Sequence, residues 1–371
     1  IVQGEQVPII WPILLNDFEL LIQFAHRTFN WRNEARGEAH VHCVIIGLSR
    51  ENDVRRSIFD YEDPNSEPLE ISANQINPYL FDSPPVFVTP VRSGPISDVP
   101  SLARGSIPYD GGNLILSEAE RDSAIQNEPD LEPLIRRYGG ARESLRSEWR
   151  YCLWLEDIHP NTIRDSPFLS ERIEECRRFR QNSETVSVNR GVDTPFLFGD
   201  RRQPNSDYLL IPRVSSSRRN YIPMSMIGQE TILADGSYGV PEATLYHFGV
   251  LSSSMHNAWV RLLAGRLKND LRYSAVLLYN TFIWPDAVSR NNRRRVEACA
   301  QEVLDARTNL IDDDTTLGDI YRLGLMPAPL VQAHRNLDSA VDRCYTRRRL
   351  RNDQQRTEFL FELYLNAQEE E

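Results

Sequence analysis

Three charged residues at alternate positions, Lys268, Asp270 and Arg272, form a constellation that could recognise a ligand. Alternate residues of an extended segment point to one side, so these three side chains can face one surface together. Lysine donates hydrogen bonds to guanine O6 and N7 and aspartate accepts one from cytosine N4, so a Lys/Asp pair suits one G·C base pair. The alternative is a surface ion pair worth under about 1 kcal/mol. We predict that these residues read base edges.

Lys268 is the only lysine among 42 basic residues, which reflects either a coding bias towards arginine or a retained function. Asp235 and Gly236, in a turn before Val240, are weaker candidates for reading a neighbouring base pair. Arginine and serine side chains around these positions suit DNA phosphates, although ion pairs within a solvated surface would also explain the arginines. The predicted phosphate ligands are Arg213, Ser215, Ser216, Arg218, Arg219, Arg261 and Arg266.

The distribution of charge favours the same region. A net formal charge of −11 argues at first against nucleic acid. Residues 206–285, however, hold seven basic and five acidic residues, whereas residues 1–50, 51–205 and 286–371 are each net negative. Because the local charge matters more than the total, DNA is expected to bind at 206–285.

The composition indicates a globular protein of two or three domains, since the chain has 371 residues with 40% hydrophobic and 26% charged residues. No apolar run is long enough for a membrane span. The five cysteines lack CxxC spacing, which favours a reducing cytoplasm over disulfides or a zinc site. The chain begins with Ile1 and has no signal peptide, so we expect a protein that extends upstream.

Several catalytic centres are excluded by their motifs. A PD-(D/E)xK nuclease needs an acid two residues before its lysine, where this chain has Arg266. An amino-methyltransferase needs a Gly-rich turn for S-adenosylmethionine and an (N/D/S)PP(Y/F/W) loop, whose nearest match, Ser83 to Val86, ends in valine. His40 and His42 beside Cys43 could suggest a metal, but a buried strand explains them better. We therefore predict no catalytic residue and no metal site.

Hydrophobic periodicity predicts an α+β chain. An apolar helix at 5–15 and strands at 20–24 and 40–48 would be the end of an incomplete α/β unit. In the middle of the chain, Ser117 and Glu120 form a capping box that opens a helix continuing to about 138. Other helices are predicted at 166–181, 255–268, 293–310, 328–345 and 353–367. Other strands are predicted at 85–90, 149–155, 208–212, 221–224, 244–251 and 275–279.

Short motifs in this order resemble the MmeI-like, type IIL restriction–modification enzymes over nearly the whole chain. The first group is similar to the end of that family's methyltransferase core: residues 2–7, 29–37 and 41–47. The second is similar to its recognition domain: residues 108–113, 150–155, 211–216, 246–251, 255–256, 265–267 and 272–274. The third is similar to its C-terminal helical domain: residues 304–307 and 333–338.

The resemblance implies a methyltransferase remnant at 1–50, a mixed α/β target-recognition domain at 51–285 and a helical domain at 286–371. It implies a parent with an upstream nuclease and an adenine-N6 methyltransferase that uses S-adenosylmethionine, and Mg²⁺ for cleavage. This chain alone would bind double-stranded DNA but no cofactor, and would be inactive, because the cofactor turn and the Asn-Pro-Pro-aromatic loop are missing. It also adds weight to Lys268 and Asp270, since matching positions in the family hold charged pairs that vary with the recognised base. The alternative is a non-enzymatic scaffold or protein-interaction module, which the acidic charge supports.

Overall fold

The computed structural model describes residues 1–31, 41–52, 55–61, 65–267 and 270–369. Strands and helices are mixed along the chain, which confirms the predicted α+β class. The strands are β1 Leu21–Trp31, β2 Val41–Ser49, β3 Arg56–Asp60, β4 Leu69–Ala73, β5 Ala103–Arg104, β6 Ile115–Leu116, β7 Ile135–Gly139, β8 Arg150–Leu153, β9 Tyr208–Pro212, β10 Val214–Ser215, β11 Ser225–Ile227, β12 Ile232–Leu233, β13 Ser237–Pro241, β14 Gly265–Leu267 and β15 Asp270–Arg272.

Among the described residues, the three longest helices lie after residue 289. The helices are α1 Val7–Pro12, α2 Glu118–Asn127, α3 Ala141–Arg146, α4 Pro160–Asp165, α5 Pro167–Gln181, α6 Val186–Asn189, α7 Leu245–Ser252, α8 Ser254–Leu263, α9 Arg290–Thr308, α10 Leu317–Ile320, α11 Ala328–Tyr345 and α12 Asp353–Glu369. Of these, α9, α11 and α12 confirm the three helical stretches predicted after residue 290.

The chain forms two compact units, each assembled from separate stretches of sequence. The first unit comprises residues 1–98, 254–285 and 347–371, and the second comprises 99–253 and 286–346. The predicted domains at 1–50, 51–285 and 286–371 follow the sequence continuously, so those limits stay a prediction. Of the candidate ligand-binding residues, Arg261, Arg266, Asp270 and Arg272 belong to the first unit and the others that the structure describes belong to the second.

The first unit contains a four-stranded sheet in the order β2-β1-β3-β4. The strand β1 pairs antiparallel with β2 and parallel with β3. Both strands predicted for residues 1–50 are therefore present, and β1 is longer than expected. The predicted helix at 5–15 is α1 followed by a π-helical segment, Ile13–Asp17. Trp11, a residue of α1, is buried.

The strand predicted at 85–90 is absent, because its main chain finds other partners. Val86 and Val88 alternate inward and are buried, as the sequence pattern required. The amide of Val88, however, donates to the hydroxyl of Tyr79 at 3.1 Å, and the amide of Thr89 donates to that of Tyr364 at 3.2 Å. Two tyrosine hydroxyls thus take the place of a neighbouring strand.

Two further predictions in the first unit were wrong. The helix α8 ends at Leu263 rather than Lys268, since Gly265–Leu267 turns back as strand β14. Residues Ala275–Tyr279 form a π-helix rather than a strand, with the side chain of Ser274 accepting from the amide of Leu277 at its start. A short run that is buried on most sides has no helical or strand period, so its sequence does not distinguish the two.

The second unit contains two four-stranded sheets, ordered β11-β9-β13-β5 and β12-β7-β8-β6. The capping box predicted at Ser117 and Glu120 is present and opens α2. This helix ends at Asn127, and residues up to 139 continue as a 3-10 turn and strand β7 instead of helix. The predicted strand at 149–155 is β8, and Ser166 caps α5 as the predicted helix begins.

The strand predicted at 244–251 is wrong, since Thr244 is the N-cap of helix α7 and the following residues belong to that helix. Apolar side chains cover both sides of this segment, and Phe248, Val250 and Leu251 are fully buried. Gly249 faces α9 so closely that an added Cβ would lie 2.7 Å from Val296 Cγ1. Packing between helices therefore decides this element, and it requires a residue without a side chain at 249.

Candidate nucleic-acid interface

The candidate readout residues Asp270 and Arg272 lie on the hairpin of β14 and β15. Leu267 pairs with Asp270 and Gly265 pairs with Arg272 across this hairpin. Between them, Leu271 is only 3% exposed and anchors the opposite face of β15. Asp270 is half-buried and Arg272 is exposed, so both side chains leave the strand on the side away from the core. Lys268 lies outside the described residues.

The charged groups of this hairpin face are not hydrogen-bonded within the described part of the chain. Neither the carboxylate of Asp270 nor the guanidinium of Arg272 makes a hydrogen bond or an ion pair with a described residue. Directly opposite Asp270, Leu267 is 53% exposed on the same face, a feature that sequence reasoning missed. The sequence predicts a helix through Leu267, and in a helix this residue would not pair with Asp270.

The second pair of readout candidates, Asp235 and Gly236, occupies the turn between β12 and β13, and Arg213 holds this turn from the end of β9. The Nη1 of Arg213 donates to the carbonyl of Asp235 at 2.9 Å, and its amide donates to the carbonyl of Gly236 at 3.3 Å. Its guanidinium also lies over the ring of Tyr238, 5.6 Å from the centroid. The structure thus brings Arg213 together with the candidate readout turn.

The turn itself presents groups to solvent. Asp235 is half-buried and its carboxylate makes no hydrogen bond or ion pair with the described residues, while Gly236 is exposed. A Cβ at Gly236 would meet nothing within 4 Å, so an approaching ligand would find the backbone open.

The predicted phosphate ligands between 215 and 219 differ sharply in exposure. The carbonyl of Ser216 accepts from the amide of Arg219 at 3.2 Å, which closes a turn. Arg218 is exposed, and its guanidinium makes no hydrogen bond or ion pair with the described residues, whereas Arg219 is half-buried and interacts within the protein. Ser215 is 4% exposed, so this conformation does not favour a contact between its hydroxyl and a phosphate.

Arg261 and Arg266 have internal partners in the first unit. Arg261 forms an ion pair with Asp353 of α12, with Nη1 and Oδ2 separated by 3.1 Å. The Nε of Arg266 donates to Gln3 Oε1 at 3.1 Å, and Gln3 returns a hydrogen bond from Nε2 to the carbonyl of Arg261 at 3.0 Å. Both arginines therefore contribute to packing around the N-terminal segment.

The described residues contain no group of three or more His, Cys, Asp or Glu side chains arranged to hold a metal ion. His40, part of the His-x-His pair weighed in the sequence, is outside those residues. A search of the helices in the same described part finds none with the length and apolarity that crossing a membrane would require.

Three models of known protein families together match nearly the whole length of the chain. The model described as "MmeI, target recognition domain" matches residues 82–286. The model "MmeI, C-terminal domain" matches residues 288–370, and "MmeI, DNA-methyltransferase domain" matches residues 1–60.

Individual relatives agree with these matches. DNA methyltransferase A of Bacillus subtilis (strain 168) is 37% identical over 365 residues, which cover 98% of this chain and 40% of that protein. The type IIL restriction-modification enzyme MmeI, whose structure was solved in complex with DNA, is 40% identical with a TM-score of 0.88, covering 99% of this chain and 48% of that one. This chain spans less than half the length of either relative, and by its family matches it belongs to the MmeI family and contains that family's target recognition domain.

Proposed function

We propose that this chain is the part of a site-specific adenine-N6 DNA methyltransferase, from a restriction–modification system, that recognises its double-stranded DNA target. The observation that carries the proposal is the match to the MmeI target recognition domain over residues 82–286, which includes every candidate readout residue. The related MmeI was solved with DNA bound, which supports DNA as the ligand.

Base readout is assigned to Lys268, Asp270 and Arg272, with Asp235 and Gly236 reading a neighbouring position. Two of these side chains share one hairpin face and have hydrogen-bonding capacity that no described residue uses. Arginine donates in pairs to guanine, and aspartate accepts from cytosine N4, so the face carries both signs needed to distinguish G·C from C·G. Arg213 positions the Asp235 turn through two hydrogen bonds.

Phosphate contacts are assigned first to Arg218, whose guanidinium is exposed and unengaged, with Ser216 and Arg219 beside it. Such contacts fix the register of a protein on the duplex without reading sequence. Replacing Arg218 and Arg219 by alanine is expected to weaken binding to all sequences alike and to flatten its salt dependence. An unchanged salt dependence would remove both residues from the interface.

Methyl transfer belongs to the parent protein, which would use S-adenosylmethionine. This sequence lacks the Gly-rich turn for that cofactor, and its nearest match to the (N/D/S)PP(Y/F/W) loop, Ser83 to Val86, ends in valine. We derive no catalytic step from these residues and expect no calorimetric signal when the chain is mixed with S-adenosylmethionine. The upstream methyltransferase and nuclease domains are proposed partners within the same polypeptide, and the five free cysteines favour the cytoplasm as its location.

Selection from a randomised duplex library, followed by a salt titration of the selected site, tests the proposal. We expect one sequence to be enriched, and binding to weaken as salt rises because each neutralised phosphate releases counterions. A chain that retains no duplex would instead favour the scaffold alternative, and a chain that retains all sequences equally would contradict sequence-specific recognition.

A further inference from the structure

A buried polar cluster joins the segment after Arg219 to the helices that end the second unit. We define the buried cluster as the half-buried Tyr221 together with the buried residues Arg307, Tyr321, His334 and Asp338. The ring of Tyr221 stacks on that of His334, with centroids 3.9 Å apart and planes 16° from parallel. The hydroxyl of Tyr221 donates to Asp338 Oδ2 at 2.7 Å. Because His334 and Asp338 both lie on α11, this helix holds Tyr221 by its ring face and its hydroxyl.

The same segment is held a second time, three residues later, by α9. Arg307 is 5% exposed and its Nη1 donates to the carbonyl of Met224 at 2.6 Å. Its Nε donates to the hydroxyl of Tyr321 at 2.7 Å, and its guanidinium lies 5.0 Å from the ring centroid of Phe248. Since the acceptor at Met224 is main chain, the arginine fixes the backbone itself. The strand predicted at 221–224 is therefore wrong, because the carbonyl of Met224 is taken by Arg307, and β11 begins only at Ser225.

Tyr321 connects Arg307 of α9 with His334 of α11. Its oxygen accepts from Arg307, so its own proton is available to the Nε2 of His334, 2.6 Å away. In this arrangement Nε2 of His334 accepts, and its buried Nδ1 has no hydrogen-bond partner among the described residues. Burial and the charge of Arg307 hold the pKa of His334 well below its ordinary value, which keeps this arrangement. The cluster is a connected set of hydrogen bonds that favours one geometry of the segment.

We propose that the buried cluster positions residues 216–224, so that Arg218 is presented to a DNA phosphate in a fixed orientation. Arg218 lies three residues before Tyr221, and its guanidinium makes no hydrogen bond or ion pair with a described residue that would orient it. A contact group that is already ordered loses less conformational entropy on binding, which improves affinity without any new contact. The residues of the cluster are positioning residues, and the inference rests on the proposed DNA-binding function.

Hydrogen exchange of the free chain tests whether the cluster orders this segment. We expect faster exchange of the amides of 216–224 in Tyr221→Ala, and a smaller acceleration in Tyr221→Phe, which retains the stacked ring. The matched control is Tyr208→Phe, which removes another buried hydroxyl of the second unit, one that donates to the carbonyl of Thr231 at 2.9 Å. Equal exchange of 216–224 in wild type and Tyr221→Ala would overturn the proposal.

A double-mutant cycle on duplex binding tests whether that order serves Arg218. In the wild-type background, Arg218→Ala is expected to make the negative slope of log K, the association constant for duplex, against log salt shallower by about 1. In the Tyr221→Ala background, Arg218→Ala should change this slope clearly less, because the arginine is no longer held in position for a phosphate. Full additivity, or no effect of Arg218→Ala in wild type, would contradict the positioning role. If the wild-type chain binds no duplex, the proposed function fails, while hydrogen exchange still decides whether the cluster orders the segment.

Discussion

The β14–β15 hairpin and the buried cluster both gather charged side chains, but they use them in opposite ways. On the hairpin, Asp270 and Arg272 leave the surface without a described hydrogen-bonding partner. In the cluster, Arg307 and Asp338 are nearly buried and hydrogen-bonded to groups of the same unit. Charged groups that hydrogen-bond within the fold hold its segments in place, whereas charged groups without such partners are free to bind a ligand. The comparison separates residues for folding from residues for recognition.

The same distinction divides the seven predicted phosphate ligands. Sequence treats Arg218 and Arg261 alike, as arginines near a net-positive region. In the structure Arg261 is paired with Asp353, and Arg218 is not paired with any described residue. The phosphate assignment therefore rests more firmly on Arg218.

The largest expected effect is on folding. Arg307→Met should lower the free energy of unfolding by roughly 3 kcal/mol, because it removes hydrogen bonds from a buried charged donor and leaves the Met224 carbonyl without its donor. Urea unfolding measures the loss. On the hairpin, Arg272→Met should leave the unfolding midpoint unchanged, since that side chain is exposed. Similar losses in both variants would erase the distinction between the two regions.

The next effect is on sequence preference. Exchanging the charges with Lys268→Glu and Asp270→Arg should change the preferred base pair from G·C to C·G at one position, with each lost contact costing about 1–3 kcal/mol. The variant, rebuilt into the full-length parent, is tested on a randomised-site methylation library.

The matched control for this exchange reverses an ion pair of the same unit, with Arg261→Glu and Asp353→Arg. It should leave the recognised sequence as it is. A recognised sequence that stays the same at every position in the Lys268 and Asp270 variant would remove these residues from base readout.

A smaller effect concerns pH. The pKa of His334 is lowered in the folded state, so as pH falls below 6.5 the unfolded chain takes up a proton there before the folded chain does. Stability contributed by His334 is therefore complete above pH 6.5 and is lost as pH falls, at up to about 1.4 kcal/mol per pH unit. His334→Gln should flatten the dependence of unfolding free energy on pH in this window. An unchanged pH dependence in this variant would contradict a lowered pKa of His334 in the folded chain.

The smallest effect distinguishes the two kinds of arginine. Arg261→Ala should cost less than about 1 kcal/mol of stability, since its ion pair with Asp353 is partly exposed and screened by solvent. The salt dependence of duplex binding should be unaffected, in contrast to Arg218→Ala. If Arg261→Ala also lowered the salt slope, the arginine would have to exchange its partner for a phosphate on binding.

Local signals in the sequence determined many elements of this protein. The capping box of Ser117 and Glu120, the cap at Ser166 and the helical spacing of Leu330, Leu337 and Val341 each act within a few residues, so they were readable without the fold. The alternation of Asp270 and Arg272 about Leu271 is similarly local. The family resemblance also follows from motifs in the sequence.

Tertiary structure decided the elements and roles that depend on distant partners. Residues 244–251 are a helix because Gly249 meets α9, and 85–90 is not a strand because tyrosines 9 to 275 positions away supply its acceptors. The pairing of Arg261 with Asp353 and the stacking of Tyr221 on His334 join residues about a hundred positions apart. A side chain's type shows which bonds it can make, but only the fold shows whether those bonds are already made, and this separates Arg218 from Arg261.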